Sequence, residues 1–192
     1  MSTFNLRQLA LSLLVSSVMR ALVQAQIPCE QVVVSNPLAP DGDFGQSLDF
    51  DGDTLAIGMP TVSFSPGYTC IYRRTPAGLE LQALLQAPDG KNADLFGWSV
   101  SLEGDQLLVG RQSDGSLNSK GSVYAYQRQP SGAWTMTQKI ANNKPGIWGF
   151  GWAMSIDGGR VAIGAKGASA LSPRARVYIF ELENGLWVEK AE

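Results

Sequence analysis

Acidic residues recur at short turns in this sequence, and their carboxylates are the side chains best suited to chemistry. Five of them belong to three turn segments: Asp51, Asp53, Glu103, Asp105 and Asp157. Glycosidases use a pair of carboxylates on one face of the fold as acid and base or nucleophile. A general acid needs a raised pKa, and an exposed turn tip offers none of the burial that would raise it. We therefore interpret these acids as turn residues and predict no catalytic residue.

The composition argues against several other classes of function. The sequence contains no histidine, which removes Ser-His and Cys-His nucleophiles and the commonest metal ligand. The formal net charge of −2 gives no electrostatic reason to expect a nucleic-acid partner. The glycine-rich segment 146–151 lacks the strand-to-helix context of a phosphate-binding loop, so it is typical of a linker.

Residues 1–25 have the features of an export signal. Arg7 precedes the apolar run Leu9–Met19, and Val23-Gln24-Ala25 is an A-x-A-like cleavage site. The run is too short to span a bilayer, so we predict a secreted or extracellular protein with no membrane span. The alternative is an organelle-targeting peptide, because the segment contains arginines and serines but no acid.

The two cysteines, Cys29 and Cys70, both lie after the proposed cleavage site. An oxidising compartment would let them pair, and a loop of about forty residues closed in this way is stabilised by roughly 3–4 kcal/mol in the chain-entropy model. The alternative is two free thiols, with Cys70 buried where the other repeats have Tyr124 and Tyr178. Spacing does not decide between them, since a disulfide needs a specific geometry.

Three fifteen-residue copies organise the whole chain. They align without a gap and begin at residues 44, 96 and 150, a period of about fifty that indicates a repeat architecture. The copies read FGQSLDFDGDTLAIG, FGWSVSLEGDQLLVG and FGWAMSIDGGRVAIG.

Each copy predicts a β-hairpin. In the second copy Trp98, Val100 and Leu102 alternate with serines, which is the periodicity of a strand. An apolar run follows, typical of a strand buried on both faces. Between the two strands an acid and a glycine are expected at the centre of a tight turn with positive φ. These pairs are Asp51-Gly52, Glu103-Gly104 and Asp157-Gly158.

Two further strands follow each copy. The third strands are predicted at Tyr68–Tyr72, Ser122–Tyr126 and Arg176–Phe180, and the fourth begin at Leu79, Ala133 and Leu186. Four strands in an antiparallel meander form a propeller blade. The sequence therefore predicts an all-β fold, a partial β-propeller of about three four-stranded antiparallel blades plus one N-terminal outer strand.

The predicted domains follow from this plan. Residues 26–43 form the outer strand and a linker, and the blades are 44–95, 96–149 and 150–192, the last one incomplete. Propellers have about four to eight blades. We therefore expect either further blades or self-association to close the ring.

The copies resemble FG-GAP repeats, the blades of integrin alpha-subunit heads and of many extracellular propeller proteins. The FG pairs are Phe44-Gly45, Phe96-Gly97 and Phe150-Gly151, whereas the GAP end is close only at Gly58-Met59-Pro60. The resemblance covers about residues 31–192. It implies a β-propeller used for recognition and adhesion, often with bound calcium.

The calcium implied by the resemblance is not expected here. The family holds it in an enlarged loop between the first two strands, and this loop is cut to a tight turn in all three copies. Calcium takes six to eight oxygen ligands, which a two-residue hairpin does not supply. Asp41, Asp43 and Asp94, just before the FG pairs, are interpreted as solvated turn acids rather than a weak cation site. We predict no metal and no cofactor.

Binding is the predicted activity, since variable loops on a rigid scaffold are where recognition concentrates. Phe64, Tyr68 and Trp148 lie in or next to the long loops and are the candidate ligand contacts, the alternative being packing between blades. Trp98, Trp134, Trp152 and Trp187 repeat at strand positions and are expected in the core. The sequence thus predicts a secreted or surface-associated module that binds an extracellular protein or glycan without catalysis. The alternatives are a fragment of a propeller enzyme acting on polysaccharide and a non-binding spacer.

Overall fold

The fold is taken from a computed structural model, which describes residues 34–38, 42–62, 64–112, 120–142, 144–145, 147–167 and 175–191. These residues belong to one compact unit. The described residues do not include the predicted export signal or Cys29. Of the predicted outer strand, they include only Val34. Val34 is not in a strand, but its side chain packs against buried residues of the first blade.

The described residues contain strands and no helix, which confirms the predicted all-β fold. Three antiparallel meanders follow one another along the chain, and we name them blades 1 to 3. Blade 1 consists of β1 (Ser47–Asp51), β2 (Thr54–Met59), β3 (Tyr68–Thr75) and β4 (Gly78–Leu85). Blade 2 consists of β5 (Phe96–Glu103), β6 (Gln106–Arg111), β7 (Ser122–Arg128) and β8 (Trp134–Ala141). The two-residue strand β9 (Ile147–Trp148) precedes blade 3, which consists of β10 (Met154–Asp157), β11 (Arg160–Gly167), β12 (Arg176–Glu183) and β13 (Leu186–Ala191).

The first turn of each blade is shifted by one residue from the prediction. Asp51 is the last residue of β1 and pairs with Thr54, so Gly52 and Asp53 are the two central turn residues. Gly52 has a φ of 57°, in the left-handed region that residues other than glycine rarely adopt. The acid is therefore a strand residue, and its carboxylate lies at the side of the turn instead of at its tip.

The phenylalanines of the second and third FG pairs, Phe96 and Phe150, pack at the junctions between two blades. Phe96 is buried and its ring meets those of Tyr124 and Tyr126 edge-on, with centroids 5.6 and 6.4 Å apart. Its backbone amide also donates to Pro66 O of blade 1 at 2.8 Å. Phe150 repeats this arrangement in blade 3. The FG pair therefore joins one blade to the preceding blade.

Buried apolar residues fill the two junctions. Ala56 and Ile71 of blade 1 pack against Val100 and Leu107 of blade 2, and a second cluster of the same kind joins blades 2 and 3. Strand β6 is buried on both faces, as its apolar run predicts, whereas β11 in blade 3 alternates between buried and partly exposed residues. Blade 3 thus has one covered face and one open face.

Two of the four repeating tryptophans occupy the predicted core positions. Trp134 and Trp187 are buried. Trp98 and Trp152 are only partly buried, and their rings contact each other with centroids 5.1 Å apart. Among the described residues, no helix has the length and apolar character needed to cross a membrane.

Candidate functional site

The meander topology gives the stack of blades two different ends. The tight turns between first and second strands, and between third and fourth strands, lie at one end. The loops between second and third strands and the linkers between blades lie at the other, which we call the long-loop end. Recognition usually concentrates on such variable loops.

A groove at the long-loop end contains one of the predicted contact residues. We call it the Phe64 groove. Its volume is about 420 Å³, and it lies between the β2–β3 loop and the linker that joins blade 1 to blade 2. It is lined by Pro60, Thr61, Val62, Phe64, Ser65, Asn92, Ala93 and Leu95.

Phe64 projects from this groove in a conformation that a non-glycine residue rarely adopts. Its side chain is 93% exposed, and its φ is 58°. Ala93 and Leu95, on the other wall, have φ values of 63° and 59°. Non-glycine residues in this region of conformational space are uncommon and concentrate at functional sites. Three of them therefore meet around a single groove.

Backbone hydrogen bonds hold the two walls of the groove together. Ala93 N donates to Ser65 O at 3.1 Å, and Phe96 N donates to Pro66 O at 2.8 Å. The Gln86 side-chain amide donates to Ser65 Oγ at 3.2 Å. Ser65 itself is buried, so Phe64 extends from a loop with a fixed base.

The other two predicted contact residues do not lie beside Phe64 in the groove. Tyr68 is partly buried and packs against the blade 1 cluster that contains Ile57 and Met59. Trp148 is partly buried in β9 and pairs with Lys166 of β11. Both residues therefore take part in packing at the long-loop end.

The turn acids bind the next blade, a role that the sequence interpretation missed. Asp51 Oδ2 accepts a hydrogen bond from Gly104 N at 2.6 Å. Glu103 accepts from Gly158 N at 2.7 Å and from Gly159 N at 3.1 Å. We call this contact the turn cap, a carboxylate of one blade bound to turn amides of the next. Because the acceptor is charged, such bonds are stronger than neutral ones.

A parallel contact lies two residues earlier in the first two copies. Asp49 Oδ2 accepts from Leu102 N at 2.8 Å, and Ser101 Oγ accepts from Ile156 N at 3.0 Å. The separations along the chain, 53 and 55 residues, are each one residue longer than the distance between the successive copies. The gapless alignment therefore contained the signal for these contacts, because adjacent positions of successive copies lie side by side.

Asp94 is a buried ion-pair residue, which corrects its interpretation as a solvated turn acid. It is fully buried, its Oδ2 lies 3.2 Å from Arg111 Nη1, and it accepts from Lys91 N at 2.6 Å. Arg111 Nη1 also donates to Tyr124 Oη at 2.9 Å. Arg111 is one of the residues that depart from the GAP pattern in the second copy. It thus neutralises a buried carboxylate between the blades.

A further carboxylate, Asp89, extends this network to the surface. Tyr124 Oη donates to Asp89 Oδ1 at 2.6 Å, and Lys139 Nζ donates to Asp89 Oδ2. Burial raises the pKa of Asp89, but the hydrogen bonds from Lys139 and Tyr124 and the nearby Lys139 and Arg111 charges outweigh burial and lower this pKa to about 2. The network joins the first two blades by charge as well as by packing.

The second junction has a cavity of about 470 Å³ and a different set of polar groups. Tyr178, at the repeat position of Tyr124, lines this cavity, and its buried hydroxyl has no hydrogen-bond partner among the described residues. Ala165 stands where the first junction has Arg111. Lys144 lies over the Tyr178 ring, with Nζ 4.8 Å from the centroid, and its ammonium pairs with Glu189. This cavity also opens at the long-loop end.

The turn residues do not fit the calcium site that the family resemblance implies. The carboxylates of Asp51 and Glu103 face backbone N–H donors, which stabilise an anion and supply no oxygen to a cation. No group of three or more Cys, Asp or Glu residues within the described ranges is arranged to hold a metal ion.

Cys70 is fully buried in β3. Burial raises the pKa of its thiol to about 11, so the reactive thiolate is disfavoured. Because Cys29 lies outside the described residues, its pairing with Cys70 stays a prediction.

Comparison with known proteins agrees with the repeat plan. Residues 80–126 match the family model of the FG-GAP repeat. The match runs from β4 of blade 1 to β7 of blade 2, so it spans the first junction and its FG pair. No curated protein matches the chain. At residues 80–126 the chain therefore carries an FG-GAP repeat, as the three copies predicted.

Proposed function

We propose that the chain is a secreted or surface-associated binding module that recognises a protein or a glycan at its long-loop end and performs no catalysis. The observation that carries the proposal is Phe64, a large apolar side chain held almost fully in solvent in a strained conformation. Aromatic side chains of this kind supply much of the binding energy at interfaces. The export signal predicted at residues 1–25 supports the extracellular location, and the FG-GAP repeat supports a role in recognition or adhesion.

The groove favours a ligand that offers an apolar group beside hydrogen-bonding groups. The Phe64 ring, Val62 and Leu95 provide apolar surface, while Thr61 and Asn92 provide polar side chains within the same groove. Binding sites commonly combine an apolar lining with a few placed polar groups. A peptide with an aromatic or aliphatic side chain, or a sugar with one apolar face, meets this requirement.

Two substitutions at Phe64 test the proposal. Phe64→Ala removes the ring, and Phe64→Gly also relieves the strain, because glycine adopts positive φ freely. We expect both variants to lose about tenfold or more in affinity, since a central aromatic contact often contributes 2 kcal/mol or more. Phe64→Gly is expected to unfold at a higher temperature than Phe64→Ala, since it alone relieves the strain.

Binding is measured on a printed glycan array and on a panel of immobilised extracellular-matrix proteins. Leu186→Ala is the matched control, because Leu186 is an exposed apolar side chain in the third-to-fourth-strand hairpin of blade 3, away from the groove. Binding that survives in both Phe64 variants would overturn the groove as the site. A folded wild-type chain that binds nothing on either panel would favour the spacer alternative.

A further inference from the structure

The two junctions inside the chain use one repeated set of contacts. Each has the turn cap described above, and each brings two glycine backbones together. A Cβ placed on Gly58 would lie 1.9 Å from Gly97 O of the next blade, and one on Gly110 would lie 2.4 Å from Gly151 O. These distances are far below any real contact, so only glycine permits the blades to approach so closely.

The outer face of blade 3 carries the same set of groups, and among the described residues no further blade packs against it. Asp157 stands at the turn-cap position of Asp51 and Glu103, and within the described residues its carboxylate has no hydrogen-bond partner. Gly164 stands at the position of Gly58 and Gly110, and a Cβ there would meet nothing nearer than 3.5 Å.

An apolar residue of this face is also exposed where its equivalents are buried. Val177 is 55% exposed, whereas Val123 and Thr69 at the equivalent positions are fully buried in the junctions. The outer face of blade 3 therefore has the composition of a junction that lacks its other half.

The opposite face of blade 1 carries the complementary half. Leu48 is 65% and Phe50 48% exposed, whereas Val100 and Leu102 at the equivalent positions of blade 2 are 7% and 4% exposed. Gly52, which stands where Gly104 supplies the amide of the turn cap, is also exposed. Gly45 is exposed too, although its equivalents Gly97 and Gly151 are buried.

We propose that the outer face of blade 3 binds the outer face of blade 1 of a second copy of this chain, so that two copies close one ring. The interface reuses the junction geometry, with Asp157 capping the Gly52 turn and Gly164 against Gly45 O of the partner copy. Two copies with three blades each fall within the range of about four to eight blades that closed propellers contain. A head-to-tail contact of this type forms a closed assembly when its rotation completes a circle.

Gly164→Ala tests this interface without disturbing the fold. Gly164 has no unusual φ and has room for a Cβ within its own chain, so the variant is expected to fold like the wild type. In the assembly the new methyl group would overlap Gly45 O of the partner copy. Such overpacking is expected to weaken association by about tenfold or more.

The measurement is the molar mass of the full chain by light scattering over a concentration series, with circular dichroism as the check on folding. The wild type is expected to reach a dimer, Gly164→Ala to remain a monomer, and Asp157→Asn to dimerise more weakly. Phe64→Gly, at the proposed ligand groove, is expected to dimerise like the wild type. A failure of the dimer proposal can therefore be distinguished from a failure of the proposed ligand site.

Three outcomes would overturn the proposal. A wild-type chain that stays monomeric at the highest concentration would exclude a second copy as the occupant and favour a further blade. A Gly164→Ala variant that dimerises like the wild type would show that another surface associates. Open polymers in place of a dimer would show that the ring does not close with two copies.

Discussion

The first junction depends on charged side chains that are placed by repeat position. Arg111 contacts the buried Asp94, and the same guanidinium reaches Tyr124, whose hydroxyl donates to Asp89. A buried charge is costly unless it is paired, so Arg111 and Asp94 depend on each other. Asp89 is the half-exposed member of this group, so its carboxylate can exchange protons with solvent.

Asp89→Asn is expected to lower the free energy of unfolding by about 1 kcal/mol or less near pH 7, because the half-exposed ion pair is screened by solvent. The pKa of Asp89 is lowered to about 2 in the fold, from an ordinary value of 3.8. Its contribution is therefore present above about pH 4 and is lost as the pH falls toward 2.

The measurement is urea denaturation of wild type and variant at several pH values between 7 and 2. The two curves should converge toward pH 2. The same substitution made in a Lys139→Gln background should have a smaller effect, since Lys139 is the main hydrogen-bond donor to Asp89. A difference that persists unchanged at low pH would contradict the assigned role.

At the scale of the elements, the first hairpin of each blade both turns the chain and holds the next blade. The acid is the last residue of the first strand. Its carboxylate accepts hydrogen bonds from backbone amides in the turn of the next blade. A turn of this kind therefore contributes to stability twice. The two roles can be separated by comparing equivalent acids.

Glu103→Ala is expected to lower the free energy of unfolding by about 1–2 kcal/mol, because it removes two charge-assisted bonds to backbone amides at a partly exposed site. Asp157→Ala is the matched control at the same position of the next copy, where no further blade of the described residues follows blade 3. Measured by denaturation at a concentration where the chain is monomeric, it should have little effect. Equal losses in the two variants would show that the acids act within their own turns.

The strands and their order could be predicted from the sequence, because alternation and the repeat period are local or regular signals. The register of the first turn was wrong by one residue, since an acid and glycine pair fits two turn frames equally well. Phe64 was predicted as a candidate contact residue from its loop position, but its positive φ depends on tertiary context. The walls formed by Ala93 and Leu95 were missed for the same reason.

At the scale of the molecule, the three blades of the described residues form a row in which only blade 2 has a neighbouring blade on both faces. The apolar run of β11 resembles that of β6, yet only β6 is buried on both sides. The sequence of the run therefore does not distinguish a covered blade from an open one. In repeat proteins each unit is stabilised by its contacts with its neighbours.

Hydrogen exchange is expected to follow this order. In Gly164→Ala, at a concentration where light scattering gives the mass of a monomer, amides of β6 and β7 should exchange more slowly than amides of β11 and β12, by about tenfold for each 1.4 kcal/mol of junction energy. In the wild type at high concentration, association should reduce the difference. Mass spectrometry of peptic fragments provides the measurement, and equal exchange in the two blades of the monomer would contradict a stack stabilised by its junctions.

The turn cap has a direction, because the carboxylate always reaches from one blade to the amides of the blade that follows it. Every unit thus brings one anionic face and one amide face, whatever its place in the row. A duplicated segment of one repeat period would arrive with both halves of the contact already in place. Such a duplication would lengthen the array by one blade while leaving every existing junction unchanged, which gives this protein a simple path to arrays of different length.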